Sequence, residues 1–143
     1  MSLFRRQPKA QTMTVTMYDG SSWLEVKGES SLQQVLETIA GGRTEDGQNL
    51  PVNCVLIRER DNEYDPNAIK VFATDPLTNQ AMMVGYINRS DAARLAPGID
   101  QKNAAGEQVG MVGQVRGGWD RGDGDTGHFG IWLLYDPADF GME

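Results

Sequence analysis

Between residues 50 and 88 the chain carries three short β-favouring runs, "LPVNCVLIRER", "AIKVFAT" and "AMMVGYI", parted by loops rich in Asp, Asn and Pro. Runs this short, with turn residues between them, pair by folding back on one another, so residues 52–88 predict a three-stranded antiparallel meander. The same pattern recurs on both sides. "TMTVTMY" at 12–18, the turn "DGSS" and "WLEVK" predict a hairpin, while "QVGMVGQVRGG" and "HFGIWLLY" add strands around the Gly- and Asp-rich loop "WDRGDGDTG". Two helices interrupt the strands. "SSLQQVLETIAGG" sets Leu32, Val35, Leu36 and Ile39 at helical spacing, with capping boxes available at Ser30/Ser31 and a stop at Gly41-Gly42. "RSDAARLAPG" predicts a short second helix, over 90–97, capped by Ser90 and stopped at Pro97-Gly98. The expected fold class is mainly β (α+β): a small, partly open β-barrel or strongly curved sheet of about six strands with two short helices.

A chain of 143 residues with 39% apolar content suffices for one core. The expected organisation is an N-terminal tail over 1–11, one domain over 12–136 and an acidic C-terminal tail over 137–143. No apolar run approaches the roughly 18 residues of a membrane span, and no secretion signal is visible, so a cytoplasmic protein without membrane contact is expected. One cysteine and one histidine, Cys54 and His128, allow no internal disulfide and no zinc site. The acidic alternation Asp61, Glu63, Asp65, Asn67 lacks the glycine and the distal glutamate of a calcium loop, so neither metal nor cofactor is expected. No acid–base pair and no nucleotide-binding G-x-x-x-x-G-K-[ST] motif is present, and the protein is read as no enzyme. The net charge of −7 argues against broad binding to nucleic acid and leaves room for a locally recognised partner.

The loop "NEYDPNAIKV", residues 62–71, reads in two ways. As a turn, Asp65, Pro66 and Asn67 fill the first three positions of a β-turn, with Asp65 bonded to backbone within the loop. As a site, Tyr64 stacks on a flat ligand while Asp65 accepts a hydrogen bond from its hydroxyl. A turn does not itself require the aromatic ring.

"VLIRERDNEYDPNAIKVFA" followed by "MVGYINRSDAARLAPGID" resembles the HIRAN domain family: an apolar strand, an arginine and an acid, Asn-x-Tyr-Asp-x-Asn-Ala-Ile, then Val-Gly-Tyr-Ile and an Ala/Leu helix. The resemblance implies an OB-like barrel. In the DNA-remodelling members it also implies recognition of the 3′-hydroxyl end of single-stranded DNA, in repair or replication, beside a helicase or nuclease partner. Carried over, Tyr64 stacks on the terminal base, Asp65 accepts from the 3′-hydroxyl and Phe129 packs against the penultimate base. Asn67, Arg58 and Arg89 complete the expected DNA-binding set, and the N-terminus of the second helix is a further place for a phosphate. Where those members carry an Arg-Tyr pair, this chain has Gly28-Glu29-Ser30-Ser31. The rival expectation is a protein-interaction or structural module on the same fold.

Overall fold

A computed structural model describes residues 14–28 and 32–142. Seven strands follow in chain order: β1 (Thr14–Tyr18), β2 (Ser22–Lys27), β3 (Gln48–Arg58), β4 (Ile69–Thr74), β5 (Ala81–Ile87), β6 (Glu107–Gly117) and β7 (Phe129–Tyr135). Helix α1 (Gln33–Ala40) lies between β2 and β3, and α2 (Arg89–Ala104) between β5 and β6. The predicted meander is present, β3 pairing with β4 and β4 with β5, all antiparallel.

Closure is tighter than the partly open barrel that the sequence predicts. β2 pairs with β5 on one side and β7 on the other, and β7 pairs with β6, which already lies along β3. Six strands therefore form a closed ring, with β1 laid along the N-terminal part of β6 that β7 does not reach. Alternation fills it: Leu24 and Val26 of β2, Ile69, Val71 and Ala73 of β4, and Ile131 and Leu133 of β7 all point inward and are buried.

The predicted β1–β2 hairpin does not form. β1 runs parallel to β6 outside the ring, with Thr14 opposite Glu107 and Tyr18 opposite Met111. The reason lies in contacts distant in the chain: the Tyr18 hydroxyl donates to Glu107 Oε1 at 2.7 Å, and its ring meets Phe140 at 5.2 Å and the Lys102 ammonium at 4.5 Å. Partial burial and the neighbouring Glu107 carboxylate push the phenol up to about 12.

Helix α1 ends as predicted, with Gly41 in the left-handed conformation. The capping boxes at Ser30/Ser31 and the 1–11 tail lie outside the described residues. Helix α2 departs from expectation by passing through Pro97 to Ala104, 16 residues in all. Proline costs a helical hydrogen bond, and the turn beyond it offsets that cost. Ile99 is fully buried, Asp100 pairs with Arg58, and a Cβ on Gly98 would lie 2.6 Å from the Phe140 carbonyl oxygen. Asn88, not Ser90, is the N-cap, its Oδ1 accepting from the Asp91 N–H and the Ser90 hydroxyl. Within the segment expected as an acidic C-terminal tail, Pro137–Phe140 makes a 3₁₀ turn, and Phe140 and Met142 are buried. No helix among the described residues is long and apolar enough to cross a membrane.

Candidate nucleic-acid interface

The loop between β3 and β4 is closed at its base by the Glu59 N–H donating to the Ala68 carbonyl at 2.9 Å. Inside it, Asn62 Oδ1 accepts the N–H groups of Tyr64 (2.8 Å) and Asp65 (2.9 Å). Asp65 Oδ1 accepts the Asn67 N–H at 2.9 Å, and the Asp65 carbonyl accepts the Ala68 N–H at 3.0 Å. These are two successive Asx turns, the second lying within a β-turn over 65–68, so the turn reading holds for one carboxylate oxygen. Asp65 Oδ2 lies outside the turn's own hydrogen bonding. Tyr64 has its backbone fixed and its side chain in solvent, 84% exposed.

Behind the loop stands Arg58, whose side chain is only 8% exposed. Its Nη1 donates to the Pro66 and Ala68 carbonyls, and its Nε to Asp100 Oδ1 at 2.9 Å. Arg60 reaches the same oxygen at 2.8 Å. Partial desolvation alone would raise the Asp100 carboxyl; hydrogen bonds from Arg60 and Arg58 outweigh it and hold the group below the usual carboxylate range. A carboxyl so depressed stabilises the fold fully above the unfolded value of about 3.9 and loses that contribution as pH falls through its lower folded value. Asp100→Asn is accordingly expected to cost about 1 kcal/mol at pH 7, solvent screening of the pair included. In urea unfolding the gap between the two proteins should close at the acid end, below the folded value.

Asn62, Tyr64, Asp65 and Ala68 from the loop meet Tyr86, Ile87 and Arg89 from the end of β5 and the start of α2. Together they line an open cleft of about 350 Å³, within the usual size range of small-ligand sites. Arg89 is exposed and donates to the Tyr64 carbonyl at 3.2 Å. Glu59 ties the two walls together, accepting from Asn62 Nδ2 at 2.6 Å, from the Tyr86 hydroxyl at 3.3 Å and from Lys70 Nζ at 2.6 Å. The cleft thus offers a flat ring, a half-buried carboxylate and a guanidinium over a small apolar floor.

Residues 38–114, just over half of the chain, match the HIRAN domain. The chain belongs to the HIRAN domain family. No curated protein and no solved structure shows a significant match to it. The matched segment runs from the last turn of α1 into β6 and contains every wall of the cleft. HIRAN membership supports a nucleic-acid-binding module.

Of the expected set, the HIRAN cleft brings together Tyr64, Asp65 and Arg89. Asn67 contributes its backbone N–H to Asp65, and Arg58 positions the loop from behind. Phe129 is a correction: it is 4% exposed and lines a different groove, between β2, α1 and β7. Gln33 clamps its backbone, accepting from its N–H at 2.7 Å and donating to its carbonyl at 2.9 Å, while the Arg43 guanidinium covers the ring at 5.0 Å. Strict alternation in "HFGIWLLY" already puts Phe129 on the inward face with Ile131, Leu133 and Tyr135. Sequence reasoning also passes over Asn62, Glu59 and Tyr86, although the Asn-x-Tyr-Asp spacing is an Asx-turn signal. Cys54 is fully buried, and burial pushes its thiol up to about 12, so it offers no thiolate for nucleophilic chemistry.

Proposed function

We propose that this HIRAN domain is a non-catalytic module that recognises the 3′-hydroxyl end of single-stranded DNA, in repair or replication, beside a helicase or nuclease partner. The supporting observation is the solvent-facing Tyr64 ring set beside Asp65, one oxygen of which the turn does not use. The terminal base stacks on Tyr64, the 3′-hydroxyl donates to Asp65 Oδ2, and Arg89 faces the adjoining phosphate. A terminal phosphate meets the Asp65 carboxylate instead and is repelled. Selectivity for the end therefore needs no basic surface, in keeping with the net charge of −7.

Fluorescence anisotropy with short oligonucleotides at about 50 mM salt tests this reading, low salt being chosen because phosphate contacts weaken steeply with ionic strength. A 3′-hydroxyl strand should bind more tightly than the same strand ending in a 3′-phosphate. Tyr64→Ala should weaken binding by about 1 kcal/mol, the lower end for base stacking, because one face of the ring stays in water. Equal affinities for the two ends would refute the proposal. A protein-interaction role is favoured by the acidic charge and by β1, which lies outside the ring with Val15 and Met17 exposed. It predicts no oligonucleotide binding even at low salt.

A further inference from the structure

The outer wall of the barrel beside the cleft carries an aromatic and cationic surface that the end-binding site does not use. Strand alternation turns Trp23, Glu25 and Lys27 of β2 outward, opposite Leu134, Trp132 and Tyr86 respectively. Trp23 is 47% exposed, and the Arg116 guanidinium of β6 lies over its ring, 5.1 Å from the centroid. Trp132 leans along β7 so far that a Cβ on Gly130 would lie 2.7 Å from its ring atoms. Its indole therefore lies along the barrel wall. Two indoles and a stacked guanidinium on one exposed sheet face form an arrangement that takes unpaired bases on the rings and phosphates on the cation.

The register makes this surface continuous with the cleft. Tyr86 lines the cleft and pairs directly with Lys27, the next outward residue on β2. From strand spacing and rise, Tyr86 lies about 12 Å from Trp132 and about 14 Å from Trp23. That is at most about four nucleotide steps at the duplex rise of 3.4 Å, and fewer for a stretched strand. Glu25 faces the path, but the Lys27 ammonium lies 3.5 Å from its carboxylate and offsets its charge.

We infer that a single strand whose 3′ terminus sits at Tyr64 and Asp65 continues across β5 and β2 onto a second nucleotide-binding surface formed by Trp23, Arg116 and Trp132. The inference rests on the end-binding reading above, and it assigns the internal nucleotides rather than the terminus. Because Trp23 is half exposed and Arg116 is on the surface, replacing either leaves the barrel interior intact.

The test is an affinity series on the full chain, with 3′-hydroxyl oligothymidylates of two, four, eight and twelve nucleotides. Wild-type protein should gain roughly tenfold in affinity between the dinucleotide and the octanucleotide, and little thereafter, as internal bases reach the indoles and stack. Trp23→Ala and Arg116→Gln should each remove most of that gain and leave dinucleotide binding unchanged, with Trp23→Phe restoring it. Tryptophan emission should be quenched by the octanucleotide in wild type, and less so in Trp23→Phe. An affinity independent of length, or a gain that survives both substitutions, overturns the second surface while the end reading stands. A length gain that depends on Trp23, with affinities at every length unaffected by Asp65→Asn, overturns the end reading instead. Absence of binding at every length overturns both, and leaves a protein partner as the occupant of the tryptophan face.

Discussion

Asp65→Asn is expected to abolish the preference for a 3′-hydroxyl over a 3′-phosphate terminus. Asparagine keeps an oxygen for the Asn67 N–H, so the turn that presents Tyr64 should survive. What disappears is the charge. A hydrogen bond to a charged group contributes about 1.5 to 3 kcal/mol, so the hydroxyl strand should lose roughly 10- to 100-fold in affinity. The phosphate strand should bind no worse, and better once the repulsion at its terminus is relieved. Anisotropy titrations of the two strands against both proteins read this directly as a ratio. Equal loss for both termini would show that the substitution only disturbs the loop.

The second large effect is expected at Gly85, in the middle of "VGY". Its φ of +151° is one that side chains rarely adopt, and a Cβ there would lie 2.4 Å from the Lys27 carbonyl oxygen and 2.9 Å from Val26 Cγ1. Among the described residues β2 and β5 meet through two register pairs, Val26 with Ile87 and Lys27 with Tyr86, so this is the narrowest described seam of the ring. Opposite, the β4–β5 register shifts between Val71 and Phe72 to accommodate the bend. Gly85→Ala must either part that seam or strain the backbone. Overpacking and backbone strain together predict a loss of about 3 to 5 kcal/mol in urea unfolding. Gly124→Ala is the control: its φ is +80°, but nothing lies within 4 Å of the added carbon, so only about 1 to 2 kcal/mol of left-handed strain is expected. Comparable losses at the two positions would mean that the close approach at Gly85 is unimportant. Since Tyr86 follows directly and lines the cleft, Gly85→Ala should also weaken oligonucleotide binding.

The meander and the HIRAN match were legible because they rest on local chemistry: alternating strands, turn residues and the spacing of the two blocks. Ring closure was not legible, because it depends on β2 finding β5 and β7, pairings distant in the chain that no local pattern encodes. The missing hairpin has the same origin: "DGSS" is a sound turn signal, but Tyr18 gains more from Glu107, Lys102 and Phe140 than β1 would from β2. Pro97-Gly98 looks like a helix stop until Phe140 is known to pack on the glycine and Arg58 to hold Asp100. At the site, the exposed ring and its neighbouring acid followed from residue type and turn chemistry. Phe129 stands where the family's order of residues places an aromatic, but the period of the strand that carries it turns the ring inward. Arg58 belongs to the expected DNA-binding set in the sequence, and only the fold shows it enclosed by carbonyls and Asp100.

The most direct test is an amide chemical-shift titration of the isotopically labelled domain with a short 3′-hydroxyl strand. The largest changes should fall within 62–68 and 86–89, with Tyr64 and Asp65 foremost, and a 3′-phosphate strand should produce much smaller changes there. Changes centred elsewhere on the barrel, or the same changes for both termini, would contradict end recognition at this cleft.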